Sequence, residues 1–72
     1  MPRVYLLFRS THDTLKAESV LKEAGLPAKV VMKPAAIRSD CGLAVRVEVG
    51  ARDEAVAALC GAKLEPRSQH TV

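Results

Sequence analysis

Aromatic side chains are scarce in this chain, since Tyr5 and Phe8 are the only two among 72 residues. Proteins that bind single-stranded nucleic acid stack bases on exposed rings and gather basic residues on one surface. Here the 11 Lys and Arg residues are spread along the chain, and 8 acidic residues interrupt them. We therefore expect no nucleic-acid partner, in spite of the net charge of +3.

Long apolar segments are also absent. No run of about 20 apolar residues occurs, so we expect neither a membrane span nor a membrane partner. Met1-Pro2-Arg3 leads directly into a strand-like segment, without the apolar region of a signal peptide, and a cytoplasmic location is the expectation. Because thiols stay reduced in that compartment, Cys41 and Cys60 are expected to be free.

The motifs of ordinary enzyme chemistry are missing too. The chain has no glycine-rich phosphate loop, no CxxC pair and no carboxylate pair with an evident acid–base geometry. The spacings of its two Cys and two His residues match no common zinc site. We expect no metal and no cofactor, and at this size we do not expect an enzyme of ordinary complexity.

What the chain does contain is a regular succession of short periodic segments. Continuous or alternating apolar residues predict strands, and apolar residues three and four apart predict helices. Proline and glycine separate the segments. The predicted elements are, in order, strand Arg3–Phe8, helix Thr11–Ala24, strand Ala28–Lys33, strand Leu43–Val49, helix Arg52–Cys60 and strand Ala62–Glu65.

This order of elements predicts one α+β domain. The order β-α-β-β-α-β with right-handed crossovers gives a ferredoxin-like fold, in which one antiparallel sheet is covered on one face by two helices. We predict a single domain over residues 1–65 and a flexible C-terminal tail over residues 66–72. A core of this size supplies only roughly 3–5 kcal/mol of stability, so we also consider a homodimer.

Two patterns assign side chains to the core. Alternation along the third strand predicts that one face is buried, namely Leu43, Val45, Val47 and Val49. In the second helix, the side chains predicted to face the core are those of Ala55, Val56, Leu59 and Cys60. Core packing is therefore favoured for Cys60, and a role as a resolving thiol for Cys41 stays open.

The most distinctive chemical group is the thiol of Cys41, in the turn Ser39-Asp40-Cys41-Gly42. A thiol in a core needs no polar neighbours. Asp40 and Gly42 instead favour a thiol that a ligand or a partner backbone can approach closely. The alternative is a small buried side chain at the start of the third strand, because free Cys is often buried.

The predicted topology brings other polar residues to the end of the sheet where this turn lies. The backbone N–H groups at the start of the first helix, with Ser10, Thr11 and His12, would favour an anionic sulfur there. Arg38 could hold an anionic substrate, and Asp40 could shape the loop. For His12, a solvated position in the first turn is the simpler interpretation.

Several segments together resemble one family. They are a Tyr-Leu-Leu-Phe strand, a Ser-Thr-His helix start, Leu-Lys-Ala-Glu and Leu-Lys-Glu-Ala-Gly in the helix, and a loop ending in Ile-x-Ser-Asp-Cys-Gly before Leu-Ala-Val-Arg-Val. Over about residues 4–49 the chain is similar to the selenium/sulfur carrier protein-like family of small bacterial proteins. The resemblance implies a carrier whose cysteine, here Cys41, holds a persulfide or selenenylsulfide between donor and acceptor proteins.

Two other functions stay open. The first is a non-catalytic, dimerising interaction or regulatory module in which Cys41 is structural, because the fold alone does not choose a function. The second is a redox switch that joins Cys41 to Cys60, which requires their Cα atoms to lie within about 7 Å.

Overall fold

The computed structural model describes residues 3–37 and 42–71. Its elements are β1 (Arg3–Leu7), α1 (Thr11–Glu23), β2 (Ala28–Met32), β3 (Leu43–Glu48), α2 (Arg52–Gly61) and β4 (Ser68–Thr71). The strands form one sheet in the order β2-β3-β1-β4, and all neighbouring strands are antiparallel. The predicted α+β class and the β-α-β-β-α-β order are confirmed. Neither α1 nor α2 is long and apolar enough to cross a membrane.

The main core lies between the helices and one face of the sheet. Side chains from β1 and β3 meet those of both helices there, and the buried members are Val4, Leu6, Phe8, Ala17, Leu21, Val45, Val47, Ala55, Leu59 and Leu64. The period of two in the strands and of about 3.6 in the helices brings these residues to one side. The opposite face of the sheet has no helix over it and is called the open face below.

Helix α1 has clear signals at both ends. The side chain of Ser10 accepts a hydrogen bond from the backbone N–H of Asp13, at 3.2 Å, which is the geometry of an N-cap. At the other end Gly25 has φ of 78°, and Leu26 N–H donates to the carbonyl of Leu21 at 2.9 Å. Glycine adopts this left-handed conformation without a Cβ penalty, so the helix ends where the sequence predicts.

The third strand departs from its predicted pattern at two residues. Val49 was expected to face the core, but it is 46% exposed and begins a short 3₁₀ turn, Val49–Ala51, that leads into α2. Ala44 points away from the helices and is nevertheless buried, in a second small cluster with Leu7 and Ile37. The alternation of apolar residues predicted which face of the sheet each β3 side chain occupies. It did not predict that Ile37, from the loop before β3, covers part of the open face.

The position of the last strand is the largest correction. The strand predicted at Ala62–Glu65 lies instead at Ser68–Thr71, inside the segment predicted to be a tail. The chain needs the intervening residues to return from the end of α2 to the sheet, and Leu64 is buried in the core on the way. Arg67 N–H donates to the carbonyl of Leu7 at 2.6 Å, and β4 then pairs with β1.

Candidate functional site

One end of the sheet gathers the segments that carry the predicted site. Strands β1 and β2 end there and β3 begins there, because β3 runs antiparallel between the other two. Ser10, Thr11 and His12 at the start of α1 lie at this end, as does Gly42 before β3. Arg38, Ser39, Asp40 and Cys41 fall outside the described residues.

The start of α1 uses its polar groups in two different ways. The hydroxyl of Ser10 is occupied as the helix cap, and the Ser10 carbonyl accepts from Thr14 N–H at 3.0 Å and from Thr14 Oγ1 at 2.9 Å. Thr11 and His12 are exposed, and no described residue accepts a hydrogen bond from their backbone N–H groups. These two N–H groups and the positive end of the helix dipole favour an anion at this end of the sheet.

The loop between β2 and β3 is held firmly at its base. Lys33 N–H donates to the carbonyl of Gly42 at 2.9 Å, and Ile37 N–H donates to the carbonyl of Pro34 at 3.0 Å. The ammonium group of Lys33 donates to the carbonyl of Ile37 at 2.8 Å. Lys33 therefore holds both flanks of the segment 38–41 by hydrogen bonds, one to Ile37 and one to Gly42. Gly42 directly follows Cys41 in the chain.

Ile37 anchors the same loop through its side chain. It is only 4% exposed and packs on Leu7 and Ala44, with Tyr5 at the margin of the cluster. This residue was not predicted to belong to the site, although one isolated isoleucine in a loop of Pro, Ala and polar residues is a recognisable signal. Burying it against the open face brings the loop over the end of the sheet.

The space beside Gly42 is open. A Cβ atom built on this glycine would meet no described atom within 4 Å, and its backbone is outside the left-handed region. Gly42 is therefore not required by packing or by φ among the described residues.

The position of Cys60 differs from the predicted one. It was expected in the core, but its side chain is exposed. The inward face of α2 is formed by Ala55 and Leu59, with Ala58 and Ala62 at its border. These positions follow the i, i+3, i+4, i+7 spacing of a helix face, and Cys60 falls outside it. The two alanines are the signal in the sequence for this direction of the helix face.

The exposed thiol of Cys60 lies in a pocket at the same end of the sheet. The pocket has a volume of about 490 Å³ and is lined by Arg9, Asp13, Cys60, Lys63, Leu64 and Glu65. Lys63 has φ of 60°, which is uncommon for a residue with a side chain.

Across residues 3–37 and 42–71, no group of three or more His, Cys, Asp or Glu side chains is arranged to hold a metal ion.

Fold and site together define a small α+β protein with a cysteine-bearing loop tied down at the end of the sheet where α1 begins. The chain belongs to the family described as Putative Se/S carrier protein-like, whose model matches residues 3–71. The match includes β4 and the whole Cys41 loop, so it extends beyond the resemblance over residues 4–49. No curated protein and no solved structure matches the chain.

Proposed function

We propose that this protein is a sulfur or selenium carrier in which Cys41 holds the transferred atom for passage between partner proteins. The observation that carries the proposal is the anchored loop base, in a chain that belongs to a carrier-like family. A carrier has to present its cargo to two partners in turn. Tied flanks at this end of the sheet suit that need, because they fix the two points between which the segment 38–41 is presented to a partner.

The transfer is an exchange between sulfur atoms. The Cys41 thiolate attacks the terminal sulfur of a donor persulfide, so that a new S–S bond forms on Cys41. The donor's own S–S bond breaks, and the donor leaves as a thiolate. An acceptor nucleophile then attacks the terminal sulfur on Cys41 and releases the Cys41 thiolate. One S–S bond breaks for each that forms in the loading step, so no external oxidant or reductant is needed.

The start of α1 supports the charged forms in this exchange. Thiolates and persulfide anions are stabilised by N–H groups and by the positive end of a helix dipole. Thr11 and His12 supply such N–H groups at the end of the sheet from which the Cys41 loop extends. Ser10 contributes indirectly in this proposal, because its hydroxyl caps the helix and so holds those N–H groups in place. Ser39, Asp40 and Arg38 complete the proposed site as neighbours of Cys41 in the chain.

Intact-mass spectrometry tests the proposal directly. The protein is incubated with glutathione persulfide and, separately, with the selenium analogue, and the added mass is then mapped to a residue. We expect the mass of one sulfur or one selenium atom on Cys41. Cys60→Ser is the matched control, because Cys60 is the other thiol of the chain and its side chain is exposed.

The alternative function, an interaction module in which Cys41 is structural, gives a different result. An adduct that survives in Cys41→Ser, or one that maps to Cys60 alone, contradicts the carrier proposal. Slow alkylation of Cys41 in the native protein would do the same, because a carrier thiol must be accessible.

A further inference from the structure

The open face of the sheet carries a row of polar side chains that crosses all four strands. In the strand register Lys29 lies opposite Arg46, Arg46 opposite Tyr5, and Tyr5 opposite His70. We call these four residues the basic row. Neighbouring strands are about 4.8 Å apart, so the row is about 14 Å long. Tyr5, Arg46 and His70 are half-buried and Lys29 is exposed.

The cations of this row have no carboxylate partner in the part of the chain that the structure describes. Lys29 and Arg46 are like charges directly opposite each other, an arrangement that destabilises a sheet. Within residues 3–37 and 42–71 neither cation forms an ion pair. Glu48 is the one acidic residue that the described strands place on this face, and its carboxylate lies 3.8 Å from Arg3. An unneutralised pair of cations on an uncovered face suits an anionic partner.

The basic row also lies beside the Cys41 loop. The next row along the strands contains Ala44 and Leu7, which are covered by the side chain of Ile37. Rows on one face of a sheet are separated by two residues, or about 7 Å. A partner seated on the basic row would therefore touch the base of the loop that leads to Cys41.

We propose that the open face binds an acidic segment of a partner protein through the basic row. A polypeptide fits better than RNA, because single-stranded RNA stacks successive bases on several aromatic rings. Among the described residues the row offers only two rings, Tyr5 and His70, both half-buried, since Phe8 is buried in the core. The docking itself depends only on charge and geometry. The further statement that this partner is a donor or acceptor of cargo depends on the proposed function.

Nuclear magnetic resonance titration of the ¹⁵N-labelled full chain tests the docking. The protein carries Cys41→Ser, so that binding is measured without any cargo chemistry. The probe is a peptide of alternating Glu and Ala residues, and a peptide of alternating Lys and Ala and an oligouridylate are tested in parallel. We expect the acidic peptide to shift the amide signals of Tyr5, Arg46 and His70, and the shifts to disappear at about 0.5 M salt.

Charge variants decide whether the basic row is responsible. The double variant Lys29→Glu/Arg46→Glu is expected to weaken binding of the acidic peptide by about tenfold or more. Lys16→Glu is the matched control, because Lys16 is exposed on α1, away from the open face, and forms no ion pair with a described residue. Arg46→Gln provides a second, milder variant should the double reversal fail to fold.

Several results would overturn this inference. They are an absence of shifts, shifts confined to other surfaces, tighter binding of the oligouridylate to the same row, or equal weakening by Lys16→Glu. The mass experiment on Cys41 is independent of all four. A protein that takes up sulfur but ignores the acidic peptide would refute the docking alone, and the reverse outcome would refute the carrier function alone.

Discussion

Truncation of Ile37 tests whether this side chain anchors the cysteine loop. Ile37 lies in the connection between β2 and β3 and is only 4% exposed. Its buried partners are Leu7 and Ala44, in a cluster separate from the main core. Ile37→Ala removes most of the side chain that joins the loop to the sheet, while the hydrogen bonds around Lys33 are left in place.

The expected loss of stability can be worked out from this environment. Truncation of a buried isoleucine to alanine costs about 2–5 kcal/mol, and less where the surroundings can close on the cavity. The Ile37 cluster is small and lies at the surface, so we expect about 2 kcal/mol. The core of so small a domain supplies only roughly 3–5 kcal/mol of stability, so this loss is a large share of it. The substitution would therefore lower the melting temperature by about 8–16 °C.

Urea unfolding followed by circular dichroism measures this change. Met32→Ala is the matched control, because Met32 is 81% exposed next to the same loop and should change stability by less than about 0.5 kcal/mol. If Ile37→Ala unfolds at the same urea concentration as Met32→Ala, the side chain does not anchor the loop. If the free energy of unfolding depends on urea concentration as steeply as in the unsubstituted protein, while the midpoint concentration is lower, the loop folds together with the domain.

Three further predictions concern the ends of elements. Ser10→Ala removes the cap of α1 and should lower the free energy of unfolding by about 1 kcal/mol in urea titrations, whereas Ser10→Asp should retain most of it. Lys63→Gly relieves a left-handed backbone and should raise that free energy by about 1 kcal/mol; a loss of stability in the same assay would contradict this. Deletion of residues 66–72 removes β4 and exposes the edge of β1, so cooperative thermal unfolding should disappear, and an unchanged transition would refute the role given to β4.

The elements with strong local signals were predictable from the sequence. The N-cap at Ser10 and the break at Gly25 both act through short-range backbone geometry, and α1 begins at the predicted residue, Thr11, and ends one residue before the predicted Ala24. The sheet topology followed from element order, because few connections satisfy right-handed crossovers in so short a chain. Strand β4 was missed because its Ser, Gln, His and Thr residues have no apolar period. Its stability comes from backbone pairing with β1, which local sequence does not reveal.

The candidate site was predictable in outline and not in detail. The turn that carries Cys41 was recognisable from residue types, and the topology predicted which end of the sheet it occupies. The roles of Lys33 and Ile37 were not recognisable, because both depend on contacts formed only when the loop folds back on the sheet. Cys60 was wrongly predicted to face the core. In a short helix the apolar pattern is compatible with two inward faces that differ by about one residue, and packing against the sheet decides between them.

The sequence by itself determined the α+β class, the order of the elements, the ends of α1 and the one thiol whose chain neighbours are Ser, Asp and Gly. Each of these depends on residues close together in the chain. Tertiary structure alone decided where β4 pairs, which way Cys60 points, how Ile37 holds the loop, and that Lys29, Arg46, Tyr5 and His70 share one row. Those features join residues that are distant in the chain, and they exist only once the sheet has set its register.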